Sequence, residues 1–245
     1  MLRFFRLLRK KLLEYNNARK YFFYALGEIF LVVIGILIAL SINNWNDGVK
    51  AQHKKQEYTN SLIDELELDL VRLTRLDSAN YVYIQSLENY INYYNQPDKS
   101  IDSLVTNMKR ISSAKNFFNT QTFTIEDLLS TGNLSLFDPK IRQGIIDLKQ
   151  TQQINIEYER KSADNLIEFE RAEFMRVDQF FEVYGEVPEH PEARGWKRDI
   201  NSSIFRIHNN RVIEAHDFHN YQLVVHERIR VKTKELIELL QKELK

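Results

Sequence analysis

The sequence predicts an all-α protein: one N-terminal transmembrane helix followed by an elongated bundle of long antiparallel helices. Three observations carry this prediction. Residues 22–42, FFYALGEIFLVVIGILIALSI, form one apolar run, and at about 1.5 Å per residue such a run covers a hydrocarbon core of about 30 Å. Seven Gly and four Pro in 245 residues leave few turn signals, so the segments between them are long. Through most of the remainder, apolar residues recur three or four apart, the period of a helix with one buried face.

The apolar run tolerates one acid, Glu28. Its Leu, Ile, Val and Phe side chains, at about −0.3 to −0.6 kcal/mol each, outweigh roughly +3 kcal/mol for one ionised acid at the helix centre. Flanking charge sets the direction. Arg3, Arg6, Arg9, Lys10, Lys11, Arg19 and Lys20 precede the run, against Lys50, Lys54 and Lys55 after it. The positive-inside rule then puts the N-terminus in the cytoplasm and the bulk of the chain in the periplasm of a cytoplasmic (inner) membrane protein. Trp45 suits an interfacial anchor at the far surface. A cleaved signal peptide is the rival, because Ala39-Leu40-Ser41 offers small residues at a cleavage spacing, but the long run and the twenty-residue basic lead favour an uncleaved anchor. Within residues 1–20, Phe5, Leu8, Leu12 and Tyr15 share a face, the pattern of a short amphipathic helix on an anionic inner surface. The predicted divisions are a leader at 1–20, an anchor at 21–45 and a helical exterior at 46–245.

The run Gly27-Glu28-Ile29, continued by Ile34-Gly35-Ile36-Leu37-Ile38-Ala39-Leu40 and Ile42-Asn43-Asn44-Trp45-Asn46, resembles the N-terminal signature of an uncharacterised family of single-pass membrane proteins of Bacteroidota. The usual form has Gln where this chain has Ser41 and Glu where it has Asp47. Leu128-Leu129-Ser130-Thr131-Gly132-Asn133-Leu134 is similar to a second block of that family. The resemblance implies a location and an architecture; it brings no activity with it.

Beyond the anchor, residues 54–95 show a helical stripe of Leu62, Leu66, Leu70, Leu73, Asn80, Ile84, Leu87, Ile91 and Tyr94, ended by Pro97. Glu65, Glu67, Asp69 and Arg72 fall between and predict a solvated face. A shorter helix is expected over 100–118, and one starting at Thr124 with Asp127 as capping acid and stopping at Gly132. Asp138-Pro139 starts a second long helix, expected to reach about Tyr184. Its middle, 150–165, is polar and reads as weakly packed or solvent-facing. Residues 185–195, GEVPEHPEARG, read as a loop, Trp196 to about His208 as helix, Asn209-Asn210 as a turn, and 211–245 as a last long helix.

Composition bounds the function. Net charge is zero, but the first twenty residues carry seven basic side chains and one acid, so the remainder is acidic by six, which argues against a nucleic-acid partner. The absence of cysteine removes disulfides and thiol catalysis. No phosphate-cradling glycine loop and no nucleophile elbow occurs. No catalytic residue and no cofactor is expected.

Three constellations remain. Glu28 inside the span is a candidate contact residue, with snorkelling to the cytoplasmic surface as its bland alternative. Gly27, Gly35 and Ala39 share one face of the apolar helix and suit close approach of another membrane helix, or are ordinary small-residue content. His216, His219 and His226 lie with Val212, Leu223 and Thr233 on one face of the last helix. They read best as hydrogen-bonded seam histidines, with a pH response or a weak metal site beside Glu214, Asp217 or His190 as rivals. The expected partners are the lipid bilayer and another membrane or periplasmic protein, or a second copy of the chain. The expected function is a membrane-anchored interaction or scaffold protein without catalytic activity. The alternative is an extracytoplasmic sensor of a small ligand or of pH.

Overall fold

The computed structural model describes residues 18–111, 114–185 and 188–244. Among these every regular element is helical and no strand occurs. The chain divides into two compact units, one ending at Glu57 and one starting at Tyr58. The amphipathic leader predicted over 1–20 falls almost wholly outside the described residues.

Helix α1 spans Ala18–Tyr94, 77 residues. Among the described residues it is the one helix long and apolar enough to cross a membrane, and its most apolar window is 0% buried. A core helix of a water-soluble domain would bury that window instead. Trp45, just beyond it, is 72% exposed.

Within the second unit, α1 contributes Leu62, Leu66, Leu73, Ile84 and Leu87 to the core, as the stripe predicts, and Tyr90, which the stripe omits. The face expected to be solvated is so at Glu67 but not at its other members. Asp69 is 0% exposed, and Glu65 and Arg72 are half-buried. These side chains hold the segment that follows the second helix, α2 (Ile101–Met108). Thr120 donates from Oγ1 to Asp69 at 2.8 Å, the Gln121 amide donates to Asp69, and Arg72 donates to the Gln121 side chain. Helix α2 stops ten residues short of the predicted end, and α1 carboxylates hold the chain farther on, at Thr120 and Gln121.

Helix α3 is Phe123–Thr131, one residue earlier than its predicted start. Its cap residue, Thr122, makes no side-chain capping bond. Glu65 of α1 supplies the cap from outside, accepting from the Thr124 amide at 3.1 Å and from its hydroxyl at 2.9 Å. Asp127 does not reach back along α3; it accepts from Tyr58 Oη at 2.5 Å. Gly132 ends the helix at φ +73°, the left-handed conformation that favours glycine. A 3₁₀ turn over Asn133–Leu136 follows.

Helix α4, Pro139–Phe174, starts where Asp138-Pro139 predicts but ends ten residues before Tyr184. Asp178 caps a separate helix, α5 (Gln179–Tyr184), accepting from the Phe181 amide at 3.1 Å. The predicted loop at 185–195 contains a short helix, α6 (Pro191–Arg194), and leads into a 3₁₀ turn over Gly195–Arg198. Helix α7, Ser203–Glu243, is capped by the Ser202 hydroxyl and passes through Asn209-Asn210 without a break. Asn209 Oδ1 accepts from Tyr90 Oη at 2.8 Å, so this side chain serves α1 rather than a local turn.

Two hydrophobic clusters result. The first joins Leu62, Leu66 and Leu73 to Ile141, Ile145 and Leu148 and to Val225, Ile229, Leu236 and Leu240. The second joins Leu87 and Tyr90 to Leu104, Met108, Leu166, Trp196, Phe205 and Phe218. Full burial of each such side chain is worth about 1.5–3 kcal/mol. Between the clusters, on all three long helices, lie buried polar residues: Asn80 on α1, Gln152, Asn155 and Glu159 on α4, and His219, Gln222 and His226 on α7. The polar middle of α4 thus turns one face, Gln152, Asn155, Glu159 and Ala163, into the interior, while Ile154 and Tyr158 stay exposed as the solvent-facing reading expects.

Candidate functional site: a buried histidine–carboxylate seam

The seam is built by three helices whose contacts advance along one as they retreat along another. Gly144 of α4 lies against Leu236 of α7, Glu159 against Gln222, and Glu173 against His208. Asp77 of α1 meets His226, Asn80 meets His219, and Tyr90 meets Asn209.

His226 is 0% exposed. Its Nδ1 lies 2.6 Å from Asp77 Oδ1, and its Nε2 lies 3.7 Å from Glu159 Oε1. Glu159 is itself 0% exposed and accepts from Gln222 Nε2, which also donates to the Asn116 carbonyl at 2.8 Å. Arg230 donates to Asp77 and, on its outer side, to Glu227. Two carboxylates thus face one guanidinium and one imidazole. Burial alone depresses the imidazole pKa, but Glu159 and Asp77 outweigh burial and hold His226 protonated to higher pH than a free imidazole.

His219, two turns away and also 0% exposed, has the opposite environment. Its Nδ1 lies 2.9 Å from Asn80 Oδ1, and its ring stacks on Tyr83 at 4.9 Å between centroids. Burial, reinforced by the positive charges of Lys115 and His216, pushes its pKa down to about 4, although Gln222 works the other way. A third buried histidine, His208, sits 2.9 Å from Glu173, which also accepts from Arg211 Nε at 2.5 Å. Burial lowers the His208 pKa; Glu173 only partly offsets this. For Glu173, burial is outweighed by His208 and Arg211, and its pKa falls.

His208 escapes the sequence reading because Asn209-Asn210 looks like a turn. It lies eleven residues before His219, three helical turns, so continuity of α7 would have placed it on the same face. His216 is the odd member of the stripe: 28% exposed, it stands 3.6 Å from Glu88 and 3.7 Å from Asp217. His216, His219 and His226 do not converge. Among the described residues no group of three His, Asp or Glu side chains is placed to hold a metal ion. His190 donates its backbone amide to Asp178 at 2.9 Å.

In the apolar part of α1, Gly27 and Gly35 have open space where a Cβ would stand. Ala39 is exposed and Glu28 half-buried. The seam sets titratable imidazoles against carboxylates in a water-poor interior.

Residues 28–172, more than half of the chain, match the model of a family described as a family of unknown function (DUF6090). The match covers the first block from Glu28, the whole second block, and Asp77, Asn80, Gln152, Asn155 and Glu159 of the seam, and ends just before Glu173 and the histidines of α7. No curated protein and no solved structure matches the chain.

Proposed function

The chain belongs to that family of unknown function, DUF6090, and we propose that it is a membrane-anchored helical interaction protein of the bacterial envelope, without catalytic activity. The anchor is the apolar part of α1, in a single pass with the N-terminus in the cytoplasm and the helical bundle of long antiparallel helices outside. The observation that carries this reading is the wholly unburied apolar window within a chain whose second unit buries most of its leucines. An apolar surface of that length is stable only against lipid or another protein. Gly27, Gly35 and Ala39 give a partner helix room to approach, and Glu28 offers it a polar contact.

The chain has no cysteine, so a single Cys replacing the exposed Glu67 reports sidedness directly. A membrane-impermeant maleimide is expected to label Glu67→Cys in cells with a permeabilised outer membrane and an intact inner one. Labelling only after the inner membrane is broken would overturn the orientation.

A second reading, a sensor working through a partner membrane protein, is favoured by the seam. Asp77, Glu159 and His226 tie α1, α4 and α7 together through one titratable imidazole, and loss of its proton leaves Glu159 as a buried charge without its counterion.

A further inference from the structure

On either side of its middle, α4 is packed by apolar side chains: Ile145 and Leu148 in the first cluster, Ala163 and Leu166 in the second. The stretch between, 150–162, turns Gln152, Asn155 and Glu159 inward, with Ile156 packed at the edge of the first cluster. Asn155 Nδ2 donates back to the Thr151 carbonyl of α4 itself at 2.6 Å, and Gln152 Nε2 has no acceptor among the described residues. Among the described residues, the polar bonds of this stretch to other helices therefore run through Glu159. It accepts from Gln222 Nε2 and faces His226 Nε2 across 3.7 Å, while its Oε2 has no donor among the described residues.

An imidazolium donates from both ring nitrogens; a neutral imidazole donates from one. Protonated His226 thus serves Asp77 of α1 and Glu159 of α4 at once. The neutral ring can serve only one, and distance decides which. Nδ1 lies 2.6 Å from Asp77 Oδ1, on a carboxylate that Arg230 also holds. The remaining N–H stays with Asp77, and Nε2 then turns a lone pair toward the Glu159 carboxylate. The other groups around the ring do not replace the lost charge. On α7, Arg230 is shared between Asp77 and Glu227, and burial keeps His219 neutral down to about 4. On the segment after α2, Phe118 packs T-shaped against the imidazole at 6.3 Å between centroids, and Lys115 is paired with Glu170 at 2.6 Å.

We propose that His226 is a proton-operated latch on the middle of α4: with its proton it holds Glu159 in the seam, and without it α4 opens locally over 150–162 while α1 and α7 stay joined through Asp77, His226 and Arg230. The proposal rests on the sensor reading and names the proton as its stimulus. Linkage gives the sign. The folded pKa of His226 lies above 6.5, so the latch is closed below 6.5 and opens as pH rises through the folded value.

Hydrogen exchange of the full-length protein in lipid nanodiscs tests this, followed by mass spectrometry over a series of pH values, with each rate divided by the intrinsic rate of an unprotected amide. Above 6.5 the opening constant of 150–162 is expected to rise about tenfold per pH unit, because each opening releases one proton, and to level off beyond the folded pKa. Residues 74–84 of α1 and 219–230 of α7 should show no such rise. Glu159→Gln removes the charge and can donate to the neutral ring, so it should flatten the rise. If that variant fails to fold, Asp77→Asn should make the rise level off at lower pH. Corrected rates in 150–162 that do not change with pH, an equal rise in all three helices, or a Glu159→Gln protein that behaves as wild type would each overturn the proposal. Crosslinking in native membranes at mildly acidic and alkaline pH separates the latch from the sensor reading. An unchanged crosslinked species together with the rise in 150–162 would leave the latch standing and remove the sensor.

Discussion

At the scale of single residues, His226 and His219 stand on one face of α7, both 0% exposed, and their pKa values move in opposite directions. The signs follow from proton linkage. The folded pKa of His226 lies above its ordinary 6.5, so its contribution is complete below the unfolded value and is lost as pH rises through the folded one. The folded pKa of His219 lies near 4, so its contribution is complete above 6.5 and is lost as pH falls toward 4. His226→Gln is expected to cost about 3–5 kcal/mol in mildly acidic buffer, because Glu159 is left as an uncompensated buried charge, and the cost should shrink as pH rises. For His219→Gln the cost should shrink as pH falls. Denaturant unfolding of both variants across the acid-to-alkaline range checks this; parallel trends would contradict the assigned environments. The histidine stripe was legible in the sequence because its members share a helical face. The partners were not: Asp77 and His226 are 149 positions apart, and no periodicity links a carboxylate on one helix to an imidazole on another.

At the scale of elements, what could be read ahead was whatever local chemistry decides. Asp138-Pro139 opens α4 and Gly132 closes α3 because φ preferences and capping act within a few residues. Two of the departures share one cause, a tertiary bond overriding a local preference. Glu65 and Asp69 look like surface acids but act as ligands for the segment leading into α3, and the Asn209 side chain serves Tyr90. The end of α4 departs for a different reason: Val177 and Phe181 keep the helical spacing across the break, while Asp178 caps a new helix there. Close approach of α4 and α7 makes its own prediction. A Cβ on Gly144 would stand 3.2 Å from Leu236 Cδ1 and 3.6 Å from Leu239 Cδ1. Gly144→Ala asks only for a small shift of leucine ends and gains up to about 1 kcal/mol of helix propensity, so it should be close to neutral. Gly144→Val overfills the contact and should destabilise by about 1–3 kcal/mol. Equal midpoints for both variants would show that the helices stand farther apart than described.

At the scale of the whole molecule, the second unit places a buried polar seam between two hydrophobic clusters. Hydrophobic clusters tolerate small sliding of helices; a seam of paired polar groups fixes register, since a displaced carboxylate loses its partner in a water-poor interior. The first unit contains an apolar helix segment with nothing of the described chain upon it. Sequence alone supplied that segment fully, because length and hydropathy are local properties. It could not supply what covers the segment besides lipid. The central claim is that the protein works by binding a second chain at the membrane. The measurement that tests it most directly is crosslinking in native membranes, followed by mild-detergent purification and identification of what accompanies the chain, for wild type and Gly35→Ile. The account predicts a specific crosslinked species, with another envelope protein or a second copy, that is reduced by Gly35→Ile. Recovery of the uncrosslinked monomer alone, identical for both proteins, would contradict it.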